Sequence, residues 1–167
     1  MKFNYSAFKA IYLHEMDRFR RTLMQSLLSP VLSTSLYFIV FGSVIGGYVE
    51  KIDGISYGSY IVPGLLMLTL LTQSITNTSF GIFFPKFNGT IYEILAAPIS
   101  TLEIVLAFVG AGATKTLVVG VVIFITANFF VEVDVKYPLL VVFLLILVAF
   151  TFALFGFLIG LMSSNFE

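Results

Sequence analysis

Apolar residues in this chain run in long blocks, and charge is confined to the gaps between them. No Asp, Glu, Lys or Arg occurs in residues 22–49, 54–85, 116–131 or 137–166. At a helical rise of ~1.5 Å, roughly 20 apolar residues cross a hydrocarbon layer of ~30 Å. The pattern predicts four membrane-spanning helices, over residues 27–49, 60–84, 107–131 and 139–162. The third begins around Leu102 and enters the hydrocarbon only after Thr116. Residues 5–21 read differently. Wound as a helix they set Phe8, Ile11, Tyr12 and Phe19 against Lys9, Glu15, Asp17, Arg18, Arg20 and Arg21, the signature of a helix lying in the membrane interface. Such a helix either anchors the N-terminus on one side or contacts a partner, and the two roles are compatible.

Composition supports membrane insertion. The chain is 59% hydrophobic and 11% charged, with mean hydropathy +1.04, whereas soluble domains are roughly a quarter charged. The fold class is therefore an all-α integral membrane protein, with an N-terminal amphipathic interfacial helix and four transmembrane helices. The first apolar run far exceeds the ~7–15 residues of a signal-peptide core and should stay in the membrane. A formal net charge of zero gives no global field for nucleic acid. The absence of cysteine excludes disulfides, thiolate nucleophiles and cysteine metal sites.

Basic residues set the expected orientation. Lys2, Lys9, Arg18, Arg20 and Arg21 precede the first span and Lys86 lies in the second loop, against Lys51 and Lys136 in the first and third. By the positive-inside rule the N-terminus, the Lys86 loop and Glu167 are cytoplasmic. Glu50, Asp53, Glu132 and Asp134 then mark the outer face. Tyr48, Tyr57, Tyr60 and Tyr137 form an outer aromatic belt, and Phe83, Phe84, Phe87 and Tyr92 an inner one.

Candidate chemistry is sparse. GAGATKT, residues 110–116, has Thr114 where a Walker loop needs glycine before its lysine, and no strand precedes it; no nucleotide site is expected here, and any ATP would be handled by another chain. Lys115 is the one charge drawn toward a span, and the expectation is that it snorkels to the headgroups rather than pairing inside. Thr69, Gln73 and Asn77 recur every fourth residue among Thr72, Ser74, Thr76, Thr78 and Ser79. Interhelical hydrogen bonding is expected of this polar face in preference to lining a translocation route. Gly42/Gly46 and Gly156/Gly160 have small-xxx-small spacing, a weak signal for close helix packing. His14 belongs to the interfacial segment, the sequons at Asn4, Asn77 and Asn88 lie inside or within the membrane, and the carboxylates are split between two faces. No catalytic constellation, cofactor site or metal site is expected.

Most informative is the loop KFNGTIYEILAAPISTLE, residues 86–103. Gly89 permits a turn, Pro98 ends the short helix that 90–97 can form, and Ser100 or Thr101 can cap a helix with Glu103 in its first turn. On these residues alone, an ordinary solvated connector remains open.

Three stretches then carry a resemblance: EMDRFRRTLMQSLLSPVLSTSLYFIVFG (15–42), YGSYIVPGLLMLTLLTQSITNTSF (57–80) and FNGTIYEILAAPISTLEIVLAFVGAGATKTLVVG (87–120). In this order they resemble the ABC-2 type permease family, the membrane subunits of bacterial ABC exporters, above all its polysaccharide, nodulation-factor and drug exporters. The resemblance implies that Glu15, Arg18, Arg20 and Arg21 belong to an interfacial elbow helix. It also implies that residues 91–98 form the helix that docks on the ATPase, with Lys86, Asn88, Tyr92, Glu93 and Pro98 as the coupling residues. The implied partners are an ABC ATPase subunit, a second permease subunit and the bilayer of a bacterial inner membrane. Family members usually have six spans, so the last two are expected to be lacking here, through truncation or gene disruption. The implied function is ATP-driven export of an amphipathic, glycan, lipid-linked or drug-like substrate, without enzymatic activity in this chain. A four-helix membrane scaffold or an inactive permease fragment is the alternative, and an intramembrane enzyme would need converging acidic, histidine or nucleophilic groups that the sequence does not bring together.

Overall fold

A computed structural model describes residues 3–45, 51–52, 54–131, 133 and 135–163. Lys2, Gly46, Tyr48, Glu50, Asp53, Glu132, Asp134 and Glu167, named above as face markers or packing residues, lie outside the described residues.

Helix α1 (Tyr5–Arg21) is capped by Asn4, whose side chain accepts from Ala7 N at 3.2 Å. It ends at Thr22, whose hydroxyl donates to the carbonyls of Arg18 and Phe19, and α2 (Leu23–Tyr37) begins at the next residue. The chain continues from α2 as a π-helix over Phe38–Ile45. Two short antiparallel strands, β1 (Lys51–Ile52) and β2 (Ile55–Ser56), turn through Gly54 at φ +83° and lead into α3 (Tyr57–Phe87). The short helix α4 (Ile91–Ala96) precedes α5 (Thr101–Phe130) and α6 (Pro138–Met162), the last opening with proline at a position where its missing N–H costs nothing. Among the described residues four helices are long and apolar enough to cross a membrane: Leu23–Phe41, Tyr57–Phe87, Thr101–Phe130 and Pro138–Met162. At ~1.5 Å per residue, α3 and α5 measure ~45 Å, longer than a ~30 Å hydrocarbon layer, which leaves both with length to reach past a boundary or to tilt.

Helix α5 is the axis of the molecule, packed by α1, α2, α3 and α6. Its buried face is rich in small residues, with Ala107, Ala111, Ala113 and Ala127 fully inaccessible. Between helices in lipid there is little hydrophobic drive, so close van der Waals contact must hold them. Small residues supply it. Ala149, Ala153, Gly156 and Gly160 form a stripe along α6 that lies on α3. A Cβ added to Gly156 would come 2.5 Å from the Ile75 carbonyl oxygen and 2.8 Å from its Cα. One added to Gly160 would collide with Ile82 Cγ2 and reach 2.6 Å from Ser79 O. The Gly156/Gly160 spacing thus serves contact within the chain. The opposite side of α6, with Leu139, Phe143, Leu147, Phe155 and Leu158, is exposed, as a lipid-facing surface should be.

Two expectations are corrected here. Thr69 and Thr72 donate to carbonyls of their own helix at 2.9 Å, and Gln73 and Asn77 bond each other at 3.4 Å. A threonine hydroxyl reaches the carbonyl one turn back, so it does not require a neighbouring helix. The interhelical bond comes from buried Ser74, which donates to Ala149 O at 2.6 Å. Ser74→Ala should therefore cost about 0.6 kcal/mol and no more than ~1.7, read as a small downward shift in the melting curve. Phe83, expected in the inner belt, is buried, while Phe84 and Phe87 are exposed. Position along a helix sets depth, whereas whether a ring meets lipid or protein is set by the helix packed beside it.

Candidate functional site

The loop between α3 and α5 gathers the ends of the helices. Asn88 caps α3, and Gly89 at φ +79° turns the chain, a conformation that favours glycine. Ser100 is the residue that caps α5. Its hydroxyl accepts from Glu103 N at 3.4 Å while the Glu103 carboxylate accepts from Ser100 N at 2.8 Å, a reciprocal capping box. The other oxygen of Glu103 accepts from Asn4 N at 2.5 Å, and the Asn4 amide donates to Pro98 O at 3.3 Å. Asn4 therefore joins the starts of α1 and α5 to the end of the α4 segment. Lys86 donates at 2.7 Å to both Leu161 O and Ser163 O, satisfying carbonyls that the end of α6 leaves open.

Helix α4 is two-sided. Ile91 and Ile94, three residues apart, pack with Ile99 against the core cluster of Ile82, Ile104, Phe108 and Phe157. Tyr92, Glu93 and Leu95 point away, with Tyr92 73% exposed. Glu93 sits in the first turn of α4, where a carboxylate complements the helix dipole. Of the residues proposed from sequence, Lys86, Asn88, Tyr92, Glu93 and Pro98 lie together at this end of the bundle and are all exposed, while Thr69, Gln73 and Asn77 lie farther along α3.

Behind this surface lies a buried ion cluster. Lys115 does not snorkel. It is 3% exposed and donates to Glu15 Oε2 at 2.7 Å, and half-exposed Arg18 holds the same oxygen at 3.0 Å. The cause is the course of α1, which runs in the same direction as α5. Asn4 meets Glu103, Tyr12 donates to Thr114 Oγ1 at 3.0 Å, Glu15 meets Lys115, and Phe19 packs on Val119 and Ile123. A carboxylate is thus delivered to the lysine where it stands, removing the need to reach for headgroups. Gly81 of α3 lies beside the carboxylate, where a Cβ would stand at ordinary contact, 3.4 Å from Glu15 Oε2. Arg20 and Arg21 are exposed at the end of α1, where cations complement the dipole. Residues 110–116 are continuous helix within α5, and Gly112 abuts Thr78.

Sequence reasoning missed the Glu15–Lys115 pair, although a signal existed. Glu15 falls in line with Phe8, Ile11, Tyr12 and Phe19, inside the apolar stripe of α1 rather than on its basic face.

A family profile described as "ABC-2 type transporter" matches residues 6–167. The chain belongs to that family. The inner membrane transport permease YadH of Escherichia coli K12 is 37% identical over 161 residues, covering 96% of this chain and 63% of YadH. The protein of the same name in Shigella flexneri matches equally. This ABC-2 chain therefore spans less than two thirds of the length of these relatives. No solved structure matches it.

Proposed function

We propose that the chain is the membrane-spanning permease part of an ATP-driven exporter of the bacterial inner membrane. In this reading the α4 end is cytoplasmic and a separate ATPase subunit docks there. The observation that supports it best is the two-sidedness of α4. Its outer face of Tyr92, Glu93 and Leu95 is open to a partner, while Ile91 and Ile94 are seated in the core. A push on the outer face would be passed to α5 through the Ser100–Glu103 cap, to α1 through Asn4, and to α3 and α6 through Lys86. A second permease subunit completes the pathway, and amphipathic, glycan, lipid-linked or drug-like molecules are the substrate class that the family resemblance supports.

Tyr92→Ala should weaken co-purification of the partner ATPase about tenfold, the scale on which interface aromatics act, and Glu93→Lys should do the same. Both side chains are exposed, so helicity by circular dichroism should be unchanged. Undiminished ATPase capture by both variants would overturn the docking assignment and favour a membrane scaffold.

A further inference from the structure

Between the α1–α2 junction and α3 the surface opens into a half-open cavity of about 100 Å³. Arg18, Phe19, Thr22 and Ser26 line one wall and Thr76, Asn77 and Phe80 the other, and Lys115 of α5 lies at the floor. One carboxylate, Glu15, serves two cations here, so the cluster carries a formal charge of +1 facing the cavity. Lys115 makes one hydrogen bond and Arg18 one ion pair among the described residues, against three donors on an ammonium and five on a guanidinium. The donors left over on these two cations, one buried and one about a third exposed, are what a ligand's acceptor oxygens would meet in this cleft.

We propose that the cavity is a binding site for a phosphate group, held between Lys115 and Arg18. The donor set fits an anion with several acceptor oxygens. Arg18 with its guanidinium fork, Lys115 with its ammonium, and Ser26, Thr76 and Asn77 line the cavity from four helices. A space of about 100 Å³, open on one side, admits a phosphate group. A group attached to the phosphate would leave through the open side, past half-exposed Phe80, which offers apolar surface there. The shared chemistry is a phosphate ester or free phosphate, and the site would exist whether or not the chain exports anything.

Native mass spectrometry of the chain in detergent tests this with three probes: phosphatidylglycerol, a diacylglycerol of the same acyl chains, and inorganic phosphate. The expected result is retention of phosphatidylglycerol over diacylglycerol, reduced about tenfold by Arg18→Gln, the scale of a lost charge-assisted hydrogen bond. Ser26→Leu, which obstructs the cavity and leaves every charge in place, should reduce it as much and decides the matter if Arg18→Gln fails to fold. Arg20→Gln, outside the cavity, should leave it unchanged. Phosphatidylglycerol retained and not displaced by inorganic phosphate assigns the source to a lipid headgroup, whereas inorganic phosphate retained with the same dependence on Arg18 and Ser26 assigns it to free phosphate. The proposal fails if phosphatidylglycerol and inorganic phosphate are both insensitive to Ser26→Leu. It also fails if Arg20→Gln lowers retention as far as Arg18→Gln, which would be diffuse surface attraction.

Discussion

Glu15→Ala is expected to destabilise the protein by about 3–5 kcal/mol, the cost of removing one partner from a buried ion pair. The loss is large because the carboxylate holds two cations. Without it Lys115, 3% exposed in the middle of α5, has no acceptor, and Arg18 loses its ion pair as well. Lys115→Met should cost distinctly less, since Glu15 keeps Arg18 at 3.0 Å and a methionine follows the course of the lysine stem. The double change Glu15→Leu with Lys115→Met should recover most of the loss, because a buried pair replaced by apolar residues of similar volume is often neutral or stabilising. Denaturant unfolding followed by circular dichroism, in one detergent for all three, checks the ranking. Equal losses for both single variants, with no recovery in the double, would mean that packing alone fixes α1 on α5.

Gly156→Leu is expected to be nearly as damaging, at about 3 kcal/mol or above, the upper range for overpacking a close contact. Even the first added carbon would stand 2.5 Å from Ile75 O and 2.8 Å from Ile75 Cα. Those are backbone atoms, which cannot swing aside as a side chain can. Helices α3 and α6 must separate, breaking the Ser74–Ala149 bond at 2.6 Å and withdrawing Leu161 O and Ser163 O from Lys86. Leu158→Ala, on the exposed side of the same helix, is the control and should cost little. Because the chain has no cysteine, a pair introduced at Ser74 and Ala149 reports the separation directly: cross-linking should be efficient in the parent background and weak with Gly156→Leu. Undiminished cross-linking would show that the interface absorbs the extra volume.

Much of the architecture was legible along the chain. Charge-free blocks identify four helices able to cross a membrane, the amphipathic pattern of residues 5–21 identifies α1, and Gly89, Pro98, Ser100 and Glu103 announce the turn, break and cap between α3 and α5. Each signal is local: a helix start, a turn or a solvent preference is settled by residues within a few positions of one another. The three-stretch resemblance also pointed to the ABC-2 family, which the profile match establishes.

The partners of the polar groups inside the bundle were not legible. Glu15 and Lys115 stand 100 residues apart, and an isolated lysine in an apolar helix is compatible with either snorkelling or pairing until the course of α1 is known. The hydroxyls of α3 were likewise ambiguous. The same chemistry lets Thr69 turn back on its own helix and Ser74 cross to α6, and only the helix that lies alongside distinguishes them.

What the sequence by itself determined is that four segments are helices long and apolar enough to cross a membrane, because hydrocarbon excludes charge and backbone polar groups must be satisfied within each segment. Only the tertiary structure decided which faces meet: α1 laid along α5, the small-residue stripe of α6 pressed onto α3, and two cations sharing one carboxylate beneath a cavity. Those arrangements rest on side-chain volume and donor geometry between helices far apart in the chain; a local pattern can mark a face as buried, as with Glu15 or Gly156 and Gly160, but does not name what it meets.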